Sequence, residues 1–226
     1  MNERTIQLIG EEAFCCLQKS YVVVAGLGGV GGHCVEALAR AGIGRLHLVD
    51  YDTVQISNLN RQLVATKKTL GMKKTEAMRR RIEEVSDCRV SLCDVRIDHE
   101  TIEHVIPEDA DYIVDAIDQL SGKLALILFA QTHNIPILSC MGAGNRRDAS
   151  RFYITDIYQT SGDPLARNLR GNLRRKGVER LEVVFSDETG SKRSAQGVIG
   201  SLAPVTGTAG LLAASHVIAR LSCSAH

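Results

Sequence analysis

Short apolar runs alternate along the chain with amphipathic stretches of helical length. The apolar runs are rich in β-branched residues and predict strands over 21–25, 46–49, 89–95, 112–116 and 135–139. The stretches around and between them predict helices over 11–18, 33–41, 71–86 and 121–133. Nearly continuous apolar strands that alternate with helices are typical of sheets covered on both faces. The pattern therefore predicts an α/β fold with a doubly wound, Rossmann-like, mostly parallel sheet.

The rhythm changes after about residue 145. Two further runs, 152–156 and 181–185, predict strands, and a helix that begins near Asp163 is predicted between them. Asp163 followed by Pro164 is typical of a helix start, because Asp caps the first free amides and Pro lacks the donor that would go unpaired. We expect a C-terminal α+β extension that packs on the sheet.

The last part of the chain is split between a polar and an apolar segment. Residues 186–201 are polar and glycine-containing, and we expect them to be mobile. Residues 204–221 are nearly all apolar and predict a helix that is buried or faces a dimer partner; a membrane span is the weaker alternative. We expect one domain over 1–226, with a core over about 4–145 and the extension over about 146–226.

The composition excludes several classes of protein. Hydrophobic residues make up 44% and charged residues 23%, which is ordinary for a globular domain and excludes disordered and coiled-coil chains. The formal charge is only +1, so the surface as a whole is not basic enough to wrap nucleic acid. Aromatic residues are 4% with no Trp, which argues against a base-stacking sheet.

Cysteine spacing and the N-terminus set two further expectations. Seven Cys occur, at 15, 16, 34, 88, 93, 140 and 223, and no CxxC pair exists, so the sequence gives no support to a zinc site. The first residues are mixed and charged, unlike a signal peptide, and the cytoplasm is the expected location.

The first motif with chemical meaning follows the first predicted strand. Gly26, Gly28 and Gly31 form a GxGxxG pattern between a strand and a helix, where backbone amides and the helix N-terminus favour phosphate. Asp50 ends the next strand at the spacing expected of a ribose-binding acid. Alone, this pattern favours NAD, and a tight turn without a ligand is the simpler alternative.

A second group of residues favours ATP over NAD. Arg61 follows the second strand, Lys74 lies just past Gly71 near the start of a helix, and Asp118 lies at the C-terminal end of the fourth strand. Ligands bind outside the carboxyl ends of parallel strands, so these side chains are expected to meet the glycine loop in one crevice. A triphosphate under attack needs cations for its charge and a carboxylate for its Mg²⁺, whereas hydride transfer needs neither.

These residues stand in an order that resembles the ubiquitin-activating-enzyme-like adenylating superfamily, the ThiF/MoeB/HesA group. The motifs are GLGGVGG, DxDxVxxSNLNRQ, GMKK and DAID, and the resemblance covers about residues 4–145. It implies that nucleotide contacts come from Gly26, Gly28, Gly29, Asp50, Asp52, Ser57, Asn58, Arg61, Lys74, Asp118 and Gln119.

The resemblance also implies individual roles. Asp50 holds the ribose hydroxyls, Asn58 and Arg61 bind phosphates, Lys74 neutralises charge during transfer, and Asp118 coordinates Mg²⁺. Arg4 matches an arginine that reaches the partner subunit's ATP in this superfamily, which would make a homodimer the catalytic unit. The reaction is the attack of a substrate carboxylate on the α-phosphate of ATP.

Two kinds of substrate could supply the carboxylate that is activated. Activators of sulfur-carrier proteins adenylate a C-terminal glycine and commonly carry zinc-binding CxxC pairs, which this chain lacks. The chain also resembles the tRNA threonylcarbamoyladenosine dehydratases over 4–5, 8–12, 37–40, 42–44, 163–166, 169–170 and 183–186. In that family a modified adenosine beside the anticodon is adenylated and then closes a ring. The nucleophile is already tethered there, so no enzyme Cys is required.

A tRNA substrate needs cationic side chains for its phosphates. A local basic run offers Arg167, Arg170, Arg174, Arg175, Lys176 and Arg180. Arg79, Arg80 and Arg81 are a second candidate, and a solvated helix face is the alternative for either run. Two further hypotheses are a non-catalytic nucleotide-binding scaffold and an NAD-dependent oxidoreductase.

Overall fold

The computed structural model describes residues 2–189 and 199–222, and it confirms the predicted α/β fold. The described residues form one seven-stranded sheet in the order β3-β2-β1-β4-β5-β7-β6. All neighbouring strands are parallel except β6 and β7, which are antiparallel. The strands are β1 (Tyr21–Ala25), β2 (Arg45–Val49), β3 (Arg89–Cys93), β4 (Tyr112–Asp115), β5 (Ile137–Cys140), β6 (Phe152–Asp156) and β7 (Glu182–Ser186).

Helices cover both faces of this sheet. They are α1 (Glu3–Ile9), α2 (Glu11–Lys19), α3 (Gly31–Ala41), α4 (Lys74–Glu83), α5 (Ile102–Val105), α6 (Leu120–Thr132), α7 (Pro164–Arg175) and α8 (Ala203–Leu221). All five residues of β1 are buried, as a strand covered on both faces requires. One core cluster contains Leu38 of α3 and Val205 of α8, and another contains Leu126 and Phe129 of α6.

The strand order places a crevice beside β1. The chain passes from β1 to β2 and β3 on one side and then returns to β4 on the other side. The connections therefore leave β1 and β4 in opposite directions, which opens a gap outside their carboxyl ends. Gly26 follows β1 and Ala116 follows β4 at that gap.

The C-terminal extension is continuous with the sheet. Strand β7 inserts between β5 and β6, so the extension adds two strands to the sheet as well as packing helices on it. Helix α8 crosses α3 at close range, because a Cβ atom added at Gly210 would lie 2.2 Å from the Val30 carbonyl oxygen. None of the helices within 2–189 and 199–222 is long and apolar enough to cross a membrane.

Helices α1 and α5 were not predicted from the sequence, and one predicted segment lies mostly outside the described residues. Helix α1 buries none of its residues and α5 has only four, so neither presents the apolar stripe by which a helix is recognised. The helix predicted over 71–86 is shorter and begins at Lys74. Most of the polar segment predicted over 186–201 lies outside the described residues.

Candidate active site

A cavity of about 780 Å³ opens at the carboxyl ends of β1, β2, β4 and β5. Ten of the residues expected to contact a nucleotide line it, namely Gly26, Gly28, Gly29, Asp50, Asp52, Asn58, Arg61, Lys74, Asp118 and Gln119. Ser57 does not line the cavity; it is exposed, and its carbonyl oxygen accepts a hydrogen bond from Arg61. Arg4 does not line it either and lies exposed on α1.

The glycine loop is shaped by close backbone approaches. Gly26 has φ of 90°, and a Cβ atom there would lie 2.6 Å from the Ala116 carbonyl oxygen. A Cβ atom at Gly31 would lie 1.7 Å from the Gly26 carbonyl oxygen. By contrast, a Cβ atom at Gly28 would meet only the Gln62 amide at 3.8 Å. The loop therefore turns tightly into α3 and leaves open space over Gly28, beside a helix N-terminus that favours phosphate.

Asp50 is buried at the end of β2 and fixes the glycine loop. One carboxylate oxygen accepts the Leu27 N–H at 2.7 Å, and the other accepts the Asp52 N–H at 2.9 Å. Burial raises the pKa of the Asp50 carboxyl above its ordinary value, and the nearby ammonium of Lys74 opposes part of this rise.

Lys74 is the first residue of α4 and is buried. Its Nζ lies 2.8 Å from Asp52 Oδ2 and 3.7 Å from Asp50 Oδ2. A buried lysine needs such partners, because an unpaired ammonium away from water is costly. The pair of carboxylates holds the cation at the cavity wall.

Arg61 is held by neutral groups. Its Nη1 donates to the Ser57 carbonyl oxygen at 2.8 Å and to Asn60 Oδ1 at 2.9 Å. Asn60 in turn donates to the Ser201 carbonyl oxygen at 3.0 Å. Within the part of the chain that the structure describes, no carboxylate pairs with Arg61, so its charge is available to an anion in the cavity.

Asp118 follows β4 and is exposed to the cavity. No described cation lies within ion-pair distance of its carboxylate, which therefore fits the oxygen-ligand preference of Mg²⁺. A buried pair supports this loop, since Lys123 Nζ lies 2.9 Å from Asp115 Oδ2 and Asp115 Oδ1 accepts the Ile117 N–H at 3.1 Å.

Sequence motifs did not reveal several residues that line the cavity. Tyr51 follows β2 and its hydroxyl accepts a hydrogen bond from Gln119 Nε2 at 2.7 Å. Further lining residues follow β3 (95–97), end and follow β5 (140–146), or span the start of α7 (162–165). Their position directly after parallel strands was a usable indication for the first two groups; the third depends on how the extension packs.

Cys140 lines the cavity but is unsuited to nucleophilic attack. Burial raises the pKa of its thiol to about 12, so the thiol stays protonated at neutral pH. Cys223 lies outside the described residues.

A cluster of Glu103, Glu108 and His133, with both Glu residues exposed, lies at the far end of α6 from Asp118.

The two basic runs differ in their surroundings. On α4, Arg79 and Arg80 pair with Glu76, and Arg81 pairs with Glu36. These pairs also lower the pKa of the Glu76 carboxyl to about 2.

The run along α7 lacks such compensation. Among residues 2–189 and 199–222, no carboxylate pairs with Arg167, Arg170, Arg174, Arg175 or Lys176; Arg180, beyond the helix, lies 3.5 Å from Glu182. The exposed α7 run is therefore the better phosphate-binding candidate, and the α4 run is a neutralised helix face.

The chain is similar to proteins of known family and structure. The family model described as the ThiF family matches residues 2–225. A tRNA threonylcarbamoyladenosine dehydratase of Bacillus subtilis is 42% identical over 183 residues, which are 80% of this chain and 72% of the relative. Two crystal structures of the Escherichia coli tRNA N6-threonylcarbamoyladenosine dehydratase TcdA are 33% identical. The AMP complex has a TM-score of 0.92, and its alignment covers 97% of this chain and 92% of that structure. The ATP complex has a TM-score of 0.91, and its alignment covers 97% of this chain and 93% of that structure.

Proposed function

The chain belongs to the ThiF family, and on that premise we propose that it is an ATP-dependent tRNA threonylcarbamoyladenosine dehydratase. It is an enzyme of the ATP-dependent adenylating class, and its similar relatives carry the dehydratase name. The substrate carboxylate is that of the threonyl group on a modified adenosine next to the anticodon. The products are the cyclised nucleoside, AMP and pyrophosphate.

One observation carries this proposal. Arg61, Lys74 and Asp118 line the same cavity as the glycine loop. Two cations and a carboxylate beside a phosphate-binding turn suit a triphosphate that is losing pyrophosphate. A nucleotide-binding scaffold or a hydride-transfer enzyme has no use for this combination.

The chemistry asks mainly for positioning and charge neutralisation. A carboxylate oxygen of the threonyl group attacks the α-phosphorus, the bond to the β-phosphate oxygen breaks, and pyrophosphate leaves. Arg61 and Lys74 neutralise the charge that builds on the phosphates. An oxygen of the same threonylcarbamoyl group then attacks the activated acyl carbon and expels AMP, which carries away one carboxyl oxygen, while the attacking group releases a proton to solvent. Counted from the free acid, the net change in the nucleoside is the loss of one water.

Metal and nucleotide contacts follow the same logic. Asp118 would hold Mg²⁺, whose charge offsets that of the triphosphate. Asp50 would accept hydrogen bonds from the ribose hydroxyls, and Gly28, Gly29 and Asn58 would contact phosphates. These roles come from the family resemblance and from the position of each side chain in the cavity.

The tRNA would bind along α7. Arg167, Arg174 and Arg175 are exposed, and the first turn of α7 borders the cavity. A phosphate backbone on this helix would bring a neighbouring nucleoside to the cavity mouth.

We also propose a cytoplasmic homodimer. Helix α1 buries nothing in the single chain, and its Leu8 is 84% exposed. If α1 is covered by a second copy of the chain, Arg4 on α1 would lie toward the cavity of that second copy.

The decisive experiment offers both candidate carboxylates to the purified protein. The protein is incubated with ATP, Mg²⁺ and threonylcarbamoyladenosine-containing tRNA, and the digested nucleosides are examined by mass spectrometry. We expect an ATP-dependent loss of one water, which the Lys74→Ala variant should not support. A parallel reaction contains a sulfur-carrier protein. Adenylation of the carrier with unchanged tRNA would establish the alternative activity, the activation of a C-terminal glycine.

A further inference from the structure

The cavity extends beyond the residues expected to hold ATP. Its far half is bordered by the loop after β5 (Gly142–Arg146) and by the start of α7 (162–165). None of the predicted nucleotide-binding residues lies there. If the proposed function is correct, this half receives the modified nucleoside.

Arg146 joins the walls of the far half. It is buried, at 5% exposure, and each of its three guanidinium nitrogens has a partner on a different segment. Nε donates to the Gly142 carbonyl oxygen at 2.7 Å, Nη2 donates to Asp163 Oδ2 at 2.8 Å, and Nη1 donates to the Glu188 carbonyl oxygen. These three bonds join the loop after β5, the start of α7 and the segment at Glu188, so Arg146 ties the walls of the far half together.

Asp163 connects this pair to α7. Its Oδ1 accepts the Ala166 N–H at 2.8 Å, which caps the helix, while its Oδ2 faces Arg146. A Cβ atom at Gly142 would lie 2.9 Å from Asp163 Oδ2, so the loop after β5 and the start of α7 are in direct contact. The side chains of Arg146 and Asp163 are almost fully buried, at 4% and 3% exposure.

The same helix carries the basic run away from the cavity. Helix α7 has 12 residues, about 18 Å of axis, and its exposed cations extend to its last turn. The orientation of α7 therefore sets where a bound phosphate backbone lies relative to the cavity. The Arg146–Asp163 pair fixes that orientation at the end where the nucleoside would enter.

We propose that Arg146 and Asp163 are positioning residues that align the tRNA-binding helix α7 with the acceptor half of the cavity. This inference rests on the proposed function and deepens it. Both residues border the cavity, and their proposed effect is on the placement of the nucleoside carboxylate against the α-phosphate.

The test separates placement from binding. In Asp163→Asn the cap remains, because Asn caps helices as well as Asp, but the charge partner of Arg146 is lost. Arg146→Lys keeps the charge but not the three contacts. We expect kcat on modified tRNA to fall about 10- to 100-fold in both variants, the size of effect caused by a misplacement of about 1 Å. The Kd values for ATP and for tRNA should change less than about 3-fold, since the residues expected to hold ATP and the exposed cations of α7 are all unaltered.

Arg151 and Asp187 provide the matched control. They form an exposed Arg–Asp pair at 2.7 Å close by in sequence. Arg151→Lys and Asp187→Asn should leave kcat unchanged. The circular dichroism spectrum and melting temperature identify a variant that fails to fold; if Arg146→Lys does so, Asp163→Asn decides.

Each outcome is decisive. Loss of turnover with intact ATP and tRNA affinity supports the positioning role. Unchanged turnover, or an equal loss of ATP affinity, overturns it. If the wild-type protein leaves modified tRNA unchanged, the proposed function fails and this inference fails with it, before any variant is compared.

Discussion

Lys74 Nζ lies 2.8 Å from the Asp52 carboxylate, so the lysine is already held by an anion before any phosphate arrives. The Asp52 side chain is 48% exposed, whereas Lys74 is almost fully buried. The exposed partner can turn to solvent at little cost, while the buried cation keeps its place. Lys74 is therefore held at the cavity wall by one buried carboxylate, Asp50, and one solvent-accessible carboxylate, Asp52.

Removal of either predicted phosphate-binding cation should slow adenylation. We expect Lys74→Ala and Arg61→Ala to lower turnover by about 10² to 10³, or roughly 3–4 kcal/mol, comparable to the loss of one oxyanion donor. The measurement is pyrophosphate release. Lys73→Ala is the control, because Lys73 is the exposed neighbour and its Nζ donates to the Tyr51 carbonyl oxygen. Near wild-type rates in both test variants would remove these residues from the mechanism.

Asp118→Asn should separate metal binding from nucleotide binding. We expect turnover to fall about 10²-fold and the Mg²⁺ concentration for half-maximal rate to rise, because an amide is a weaker ligand than a carboxylate. ATP affinity without Mg²⁺ should stay within a factor of about 3. Asp109→Asn, on an exposed carboxylate outside the cavity, provides the comparison. An unchanged Mg²⁺ dependence would contradict the assignment.

The sequence predicted the half of the cavity that lies close to its motifs. Gly26 and Asp50 stand directly after parallel strands and Asp118 stands three residues after one, so their convergence follows from the strand pattern alone. The far half could be predicted only in part: the loop after β5 follows a parallel strand, but the contribution of α7 could not be predicted in this way. It depends on β7 inserting between β5 and β6, which is a long-range pairing that hydrophobic periodicity does not encode.

Charge runs illustrate the same limit. The sequence presents Arg79–Arg81 and the α7 run as equally basic, but folding brings Glu36 of α3 against Arg81. Glu76 and Glu83 are close in sequence, and helical spacing could have indicated their pairing with Arg79. The contribution of α3 required the tertiary structure.

The buried carboxyl of Asp50 should make the free energy of unfolding depend on pH. Its pKa is raised in the folded protein, so the folded state binds the proton more tightly than the unfolded chain, whose Asp titrates near about 3.9. Ionisation of Asp50 therefore costs stability as pH rises from about 4 through the folded pKa.

The Asp50→Asn variant cannot titrate at this position and isolates the effect. The unfolding free energy of wild type minus that of the variant should fall as pH rises from about 4 and then level off. Urea denaturation of both proteins at a series of pH values measures this difference. A difference that rises over this range would mean that Lys74 and the backbone donors outweigh burial.

Charge reversal on α7 should weaken tRNA binding. We expect Arg174→Glu/Arg175→Glu to lower affinity by at least about 10-fold at low salt and to reduce the slope of log K against log salt by about 1 per lost phosphate contact. Arg40→Glu/Arg80→Glu changes the net charge equally at arginines that are exposed and paired with glutamates. An equal loss in the two double variants would reflect net charge rather than a binding surface.

Mixed dimers should reveal whether Arg4 acts on the partner's ATP. Arg4→Ala and Lys74→Ala homodimers are each expected to be nearly inactive. In a heterodimer, the Arg4→Ala protomer has an intact cavity and receives Arg4 from the Lys74→Ala protomer. Random exchange makes half of the dimers mixed, each with one complete site, so pyrophosphate release should recover to about a quarter of the wild-type rate. Dimer mass and subunit exchange are verified in the same samples. If Arg4 served its own subunit, no site in the mixture would be complete, and the rate would stay at the level of the separate variants.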